Sequence, residues 1–451
     1  MVSGAAGDGA VWDRTRVLRL APDRAARQAA VGLPASAWTS TGRSGTQLWG
    51  RCRGSGASPY DVVLDVGAHT WTCSCPSRKM PCKHALGLLL RWSDGAVAEH
   101  EPPEFVARRL AGRAALVERS ATRTAGQVAD PQAAAARSAA RARRVADGLE
   151  ELSTWIGDQI RTGLAGLERG GYAAVDAVAA RMVDAQAPGV AGLLRRIPGE
   201  LAQEGWPERV LDHLAALHLL VRAHRRLGEL PPDLAATVRS HVGYPVTRAE
   251  VLARPGVEDD WLALGQVDTV ESRLESRRVW LWGRRSGRWA LWLTFVPPGG
   301  TPDTTVTLGS RFSGRLHYYP GAGQLRAVLG EASEPSARAD DEVGRGWPVA
   351  DDLTGARRRF ADLLAADPWA TRLPVVLAVA PVPPEEDGGR WRLRDREGRC
   401  CQLLGGGEPW PLVAQARGRC VPVMAEWSVD GARPLAALGT SGSGAELLRA
   451  A

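Results

Sequence analysis

The sequence predicts an α+β multidomain protein: a small ββα unit around a cysteine cluster, a central helical bundle and a C-terminal β-rich domain. Three observations carry this reading. Tyr60, Val62, Leu64 and Val66 alternate with period two, and a helical repeat follows beyond the cysteines. Between about 141 and 245 apolar residues recur every three or four positions. From 246 the chain becomes rich in Trp, Val and turn residues. A length of 451 residues accommodates such a division at about 100 to 200 residues per domain.

The expected boundaries follow the pattern. Residues 1–98 form an N-terminal domain that contains the cysteine unit at about 60–92, and 99–140 form a linker passing into an exposed helix. Residues 141–245 form the helical domain and 246–451 the Trp-rich β domain. In the first unit Gly67 and Ala68 make a turn, Thr70 to Cys73 return as a second strand, and Ala85, Leu88, Leu89 and Trp92 mark a helix. In the bundle Val145, Leu149, Leu152, Ile156, Ile160 and Leu164 share one helix face. Further helices are expected from Ala173 to Ala187, ended by Pro188, and from Glu208 to Leu227 through Val210, Leu214, Leu217 and Val221. In the last region Val279 to Gly283 and Trp289 to Phe295 read as a hairpin, with Trp280 and Trp282 on one face. A second pair runs from Trp391 to Leu403, after the apolar run Leu373 to Ala380, and a helix from Asp352 to Ala366 interrupts the strands. Ten of the seventeen tryptophans lie after residue 260, as expected if they fill sheet cores.

Composition narrows the function. A hydrophobic fraction of 44% and a charged fraction of 24% are those of a globular chain. The first residues lack the apolar core of a secretory signal, and no stretch has the length of a membrane span, so a cytoplasmic location is expected. There clustered thiols more often hold metal than form disulfides. The net charge of +7 is compatible with a polyanionic partner without demonstrating one. Arginine has displaced lysine almost everywhere, and Ala and Gly are abundant, as in a GC-rich bacterial genome. The two lysines, Lys79 and Lys83, both lie in the cysteine cluster. Neither follows the Gly that a Walker A loop needs, and no Gly-X-Ser-X-Gly elbow or His-Glu-X-X-His motif occurs. The acidic runs Asp340–Glu342 and Glu385–Asp387 read as solvated loops. His213, His218 and His224 lack the i, i+4 spacing of a metal pair. The chain is therefore expected not to be an enzyme.

The cysteine cluster is the most specific feature. Cys73, Cys75, Cys82 and His84 form a Cys3His set within twelve residues, an accepted donor set for one structural zinc ion. Cys73 and Cys75 stand at the end of the hairpin, and Cys82 and His84 at a helix start that lowers a thiol's pKa. Zinc would thus lock the unit together. The Cys-X-Cys spacing is wrong for a redox pair, and four close ligands would leave no open position for catalysis. Cys52, Cys400, Cys401 and Cys420 stand as substitute ligands in principle, though lone cysteines are more often buried thiols.

The order Cys-X-Cys, loop, Cys-X-His resembles the SWIM zinc finger, whose proposed roles are binding DNA or other proteins. The wider segment, from LWGRCRGSG at Leu48 through PYDVVLDV and CSCPSRKMPCKHALGLLLRW, resembles the SWIM zinc finger family proteins of actinomycetes. A weaker likeness runs through MVDAQAPG near 185 and WLALGQ at Trp261. The resemblance implies a protein partner, a MoxR-type ATPase or a von Willebrand factor A domain protein.

Arg78, Lys79, Lys83 and Arg91 are expected to surround the site. They serve either to contact phosphates or a partner, or to offset the net negative charge of zinc with three thiolates. Local charge balance is favoured. The leading expectation is a zinc-binding adaptor that engages other proteins. The alternatives are DNA binding through the zinc-finger surface, extended by Arg108, Arg109, Arg141, Arg143 and Arg144, and an unrecognised enzyme in the C-terminal domain.

Overall fold

The structure, a computed structural model, describes residues 12–21, 24–53, 58–66, 70–75, 77, 81–107, 131–201, 203–271, 274–296, 306–333, 346–385, 389–405, 409–441 and 444–449.

The chain opens with helices α1 (Arg14–Arg19) and α2 (Arg24–Val31) and continues into strands β1 (Trp38–Ser44), β2 (Gln47–Cys52), β3 (Tyr60–Asp65) and β4 (Thr70–Cys73). These pair in order as an antiparallel sheet, with Val62 opposite Cys73 and Leu64 opposite Trp71. Helix α3 (Lys83–Ser93) lies between the sheet and the first two helices. The expected ββα unit is therefore one edge of a larger sheet, and β1 and β2 were missed. Helix α3 stands where the apolar spacing placed a helix. All seven residues from His84 to Leu90 are buried, so the helix is the centre of the N-terminal core rather than a surface element.

The central region is helical: α4 (Pro131–Thr162), α5 (Ala165–Asp184), α6 (Pro188–Leu194), α7 (Ile197–Glu200), α8 (Trp206–Arg225), α9 (Pro232–Val242) and α10 (Arg248–Leu252). Helix α4 starts within the stretch 99–140 read as a linker passing into an exposed helix, and its Ala-rich opening has high helix propensity. Val145, Leu149, Leu152 and Ile156 are buried as expected, whereas Ile160 is exposed at the end of the helix. Helix α5 begins eight residues before its expected start, across a kink at Gly171, and ends at Asp184. Pro188 occupies the first turn of α6, where its missing N–H is harmless. The core gathers Val178 and Met182, Val190 and Leu194, Val210, Leu214, Leu217 and Val221, and Val238. Helices α6 and α9 approach so closely at Gly189 that a Cβ there would collide with the carbonyl of His241.

The C-terminal region, expected as one β domain, holds two β units. Strands β5 (Gly256–Glu271), β6 (Leu274–Gly283), β7 (Trp289–Val296), β8 (Arg311–Tyr318) and β9 (Arg326–Ala332) close a barrel in the order β5-β6-β7-β9-β8. The neighbours are antiparallel except β7 and β9. This strand order with a parallel closure is the topology of an OB barrel. The second unit contains α11 (Leu353–Ala366), β10 (Leu373–Val382), β11 (Arg392–Arg394), β12 (Cys400–Gln402), α12 (Trp410–Ala416), β13 (Val421–Ser428), β14 (Gly431–Ser441) and β15 (Gly444–Arg449). Its sheet runs β12-β11-β10-β13-β14-β15. One face packs on Leu353, Ala356 and Phe360 of α11.

The other face carries Val376, Met424 and Leu435 against Trp280, Trp282 and Trp289 of the barrel. Val279 and Leu281 alternate with those rings and fill the barrel interior. The tryptophans thus serve mainly as core, with Trp410 an exception at 56% exposure. At the joint Glu426, nearly buried, accepts from Trp280 Nε1 at 2.9 Å and pairs with Arg278 at 3.3 Å. The bundle is tied to the second unit by Trp369 Nε1, which donates to the Ala216 carbonyl at 2.9 Å, and by His241 against Asp367 at 2.9 Å.

Candidate metal centre

Strand pairing fixes the first two candidate ligands. Cys73 ends β4 opposite Val62. Ser74, which follows it, donates its amide to the Asp61 carbonyl and accepts from the Asp61 amide through Oγ at 2.9 Å. The two bonds curl the chain so that Cys75 returns toward the same point as Cys73. Ser74 was not singled out from the sequence, and its position between two cysteines is the signal that identifies it.

The other two ligands come from the start of α3. Cys82 is the helix N-cap, in extended conformation, and its Sγ accepts from the Ala85 amide at 3.4 Å. A sulfur there satisfies one orphan amide and meets the positive end of the helix. His84 is buried one residue into the helix, and its ring packs on Tyr60 at 5.0 Å between centroids. Its Nδ1 stands 3.7 Å from Cys73 Sγ.

The ligand atoms of Cys73, Cys75, Cys82 and His84 all lie within 4.8 Å of one another. Three thiols this close cannot all ionise unaided. The hydrogen bond to Cys75 pushes Cys73 far above the ordinary thiol range, and the same bond with Cys73 pulls Cys75 far below it. At Cys82 the lowering bond from Cys73 is outweighed by the bond from Cys75 and by burial, and the thiol is pushed up to about 11. A divalent cation would remove this conflict, and three sulfurs with one buried imidazole nitrogen fit tetrahedral zinc. When bound, zinc supplies the charge that lets the thiolates coexist and joins the β4 end to the α3 start.

Residues 60–93 match the SWIM zinc finger. The unit is a SWIM zinc finger. Residues 140–242, from α4 to the end of α9, match the SWIM-associated four-helix bundle domain. The SWIM finger and its associated bundle thus stand in one chain, followed by the barrel and the second sheet. No significant match was found among curated proteins or solved structures.

Around the SWIM finger, Lys83 is exposed beside the ligands. Arg91 is half-buried in the last turn of α3, about 12 Å along the helix axis from Lys83, and so does not surround the metal site as expected. Arg78 and Lys79 lie outside the described residues, as do Arg108 and Arg109. Arg141 is engaged with the carbonyls of Gln186 and Gly243, and Arg144 with Gln186 Oε1.

Cys52 is buried, its thiol pushed up by burial, and it points to the Arg53 carbonyl at 3.6 Å. Cys400 and Cys420 likewise face the carbonyls of Gly398 and Arg394. None of the four remaining cysteines joins a metal-ligand group among the described residues. His213 faces Glu200 and His224 faces Tyr244, and no histidine cluster forms there. A second acidic group, Asp352, Asp395 and Glu397, already holds a cation: Arg399 reaches them at 2.7, 2.9 and 3.0 Å. Glu385 is exposed and paired with Arg392, and the remaining residues of both acidic runs lie outside the described residues. No helix among the described residues is long and apolar enough to cross a membrane.

Proposed function

We infer that the chain is a non-catalytic, cytoplasmic adaptor in which zinc stabilises the N-terminal domain and the helical bundle receives a protein partner. The observation that carries this reading is the burial of α3 from His84 to Leu90. A zinc-finger helix that reads DNA must present one face to the groove, and this helix has none to spare. The zinc therefore acts as a staple. On the bundle, Leu211, Ala215 and Leu219 of α8 form an exposed i, i+4, i+8 ridge, with the leucines 48% and 46% accessible. Asp212, His218 and Arg222 rim it. An apolar ridge with a polar margin is the surface of a helix that meets a partner.

The test is co-purification from cells by the tagged full chain and by its Leu211→Asp/Leu219→Asp variant. The partner classes implied by the family resemblance, a MoxR-type ATPase or a von Willebrand factor A domain protein, are the first to assay. The expected result is a partner retained by the parent and lost by the variant, with zinc content and helicity unchanged. Tight duplex-DNA binding that falls steeply between about 50 and 200 mM salt and is lost in Lys83→Glu would overturn the reading.

A further inference from the structure

Among the described residues the barrel closes between β7 and β9 by two rungs, Leu291 opposite Arg326 and Trp292 opposite Ala327. Beyond them β7 pairs with β6, β9 pairs with β8, and the two strands part around a cavity of about 400 Å3. Trp292 to Thr294 form one wall and Ala327 to Gly330 the other, and Tyr319, Arg326 and Arg248 complete the lining. The Arg326 guanidinium lies 4.4 Å from the centroid of Tyr319 and 5.9 Å from that of Phe295, whose ring is 51% exposed.

The charge of this slot is one-sided. No Asp or Glu lines it, and among the described residues neither Arg326 nor Arg248 has a carboxylate partner. Arg248 is held by the Leu329 carbonyl at 2.6 Å, which fixes its guanidinium without neutralising it. Arginine forks suit phosphate oxygens, and an exposed ring beside them offers a stacking platform for an unpaired base. In a duplex the base faces are already stacked on one another and cannot meet that ring. OB barrels bind oligonucleotides on the face of their second and third strands and at the loop joining the fourth to the fifth. Here Val376, Met424 and Leu435 cover the Trp280–Trp289 half of that face. Among the described residues the half left open is the Phe295 end, and Tyr319 opens the loop from β8 to β9.

We propose that this slot binds single-stranded nucleic acid, with a base stacked on Phe295 and backbone phosphates held by Arg326 and Arg248. The site is separate from the zinc finger and from the α8 ridge. The experiment is fluorescence anisotropy of the zinc-loaded full chain with a labelled oligo-deoxythymidylate of about 15 nucleotides, a length that spans one OB site, and with a duplex of equal length. The expected result is preference for the single strand, with affinity falling by a log–log slope of about 1.4 as salt rises, from two phosphate contacts at roughly 0.7 each. Arg326→Glu weakens binding about tenfold or more, and Phe295→Ala, an exposed change that leaves the fold intact, about fivefold or more. Lys83→Glu and Leu211→Asp/Leu219→Asp leave it unchanged. Absence of binding, equal affinity for the duplex, binding indifferent to both slot variants, or binding lost in Lys83→Glu would each overturn the proposal. A slot that takes an extended peptide instead gives the first of these results.

Discussion

Removing zinc should unfold the N-terminal domain while leaving the bundle and both C-terminal β units intact. Leu86, Leu88, Leu89 and Leu90 of α3 are at most 4% exposed, and at about 1.5 to 3 kcal/mol each their burial contributes about 6 to 12 kcal/mol. Zinc in small structural sites supplies on the order of 10 kcal/mol, a term of equal size. A domain's net stability is about 5 to 15 kcal/mol after the ordering entropy is subtracted. Loss of a metal term of about 10 kcal/mol therefore leaves the domain between about −5 and +5 kcal/mol, at the margin of folding. Chelation followed by hydrogen exchange checks this. The amides of Ala85 and Leu86, held by Cys82 Sγ and the Cys82 carbonyl, should lose protection together with those of β4, while α8 and β13 keep theirs. Cys82→Ser should behave like the chelated protein, since it removes a metal ligand while its hydroxyl can still cap the Ala85 amide. Protection of α3 that survives complete zinc removal would refute the staple argument.

Three further outcomes are expected. Glu426→Ala leaves Arg278 and the Trp280 N–H without a partner between the barrel and the second sheet, and should cost about 3 to 5 kcal/mol in urea unfolding, with Glu426→Gln milder. Gly189→Ala drives a Cβ into the His241 carbonyl and should lower bundle stability by about 1 to 3 kcal/mol, read from the same titration. Burial would raise the Asp259 carboxyl, but it accepts from the amides of Asp260, Arg285 and Ser286, and those bonds hold it below the ordinary carboxylate range. Its contribution is therefore present above about pH 3.9 and lost as pH falls through the lower folded value, so Asp259→Asn should flatten the acid limb of the stability curve.

The metal site was legible because its four ligands are close in sequence and of rare types, so that spacing alone brings Cys73, Cys75, Cys82 and His84 together. The stripe from Val145 to Ile156 and the β6–β7 hairpin were legible for a similar reason, since each is a local repeat with a period. Helix α3 was legible as a helix, but its place at the centre of the core was not. Its i, i+3, i+4 pattern marks one face, but Leu86 and Leu90 fill the other, and the sequence does not state that α1 and α2 will cover them. Strands β1 and β2 were missed because WTSTGRS and QLWGRC mix Gly, Ser and Arg with only a few strand formers, and their pairing with β3 supplies what propensity lacks.

The slot in the barrel was invisible for a more general reason. Its walls come from β7 and β9, whose contact residues Leu291 and Arg326 are 35 positions apart and are joined in parallel, a pairing that no local pattern announces. The same parallel closure explains why the slot exists. Antiparallel neighbours on either side hold β7 and β9 in register along their lengths, while the two shared rungs are too few to hold them to each other. Strand twist then separates their free ends. Filling the slot with side chains would have closed the barrel. Thr294 and Gly330 stand there instead, too small to meet across it, and Arg248 and Arg326 border the opening. The small residues and the uncompensated charge thus belong to one feature, and Thr294→Leu, which should fill the opening without touching either arginine, would separate the role of the space from that of the charge.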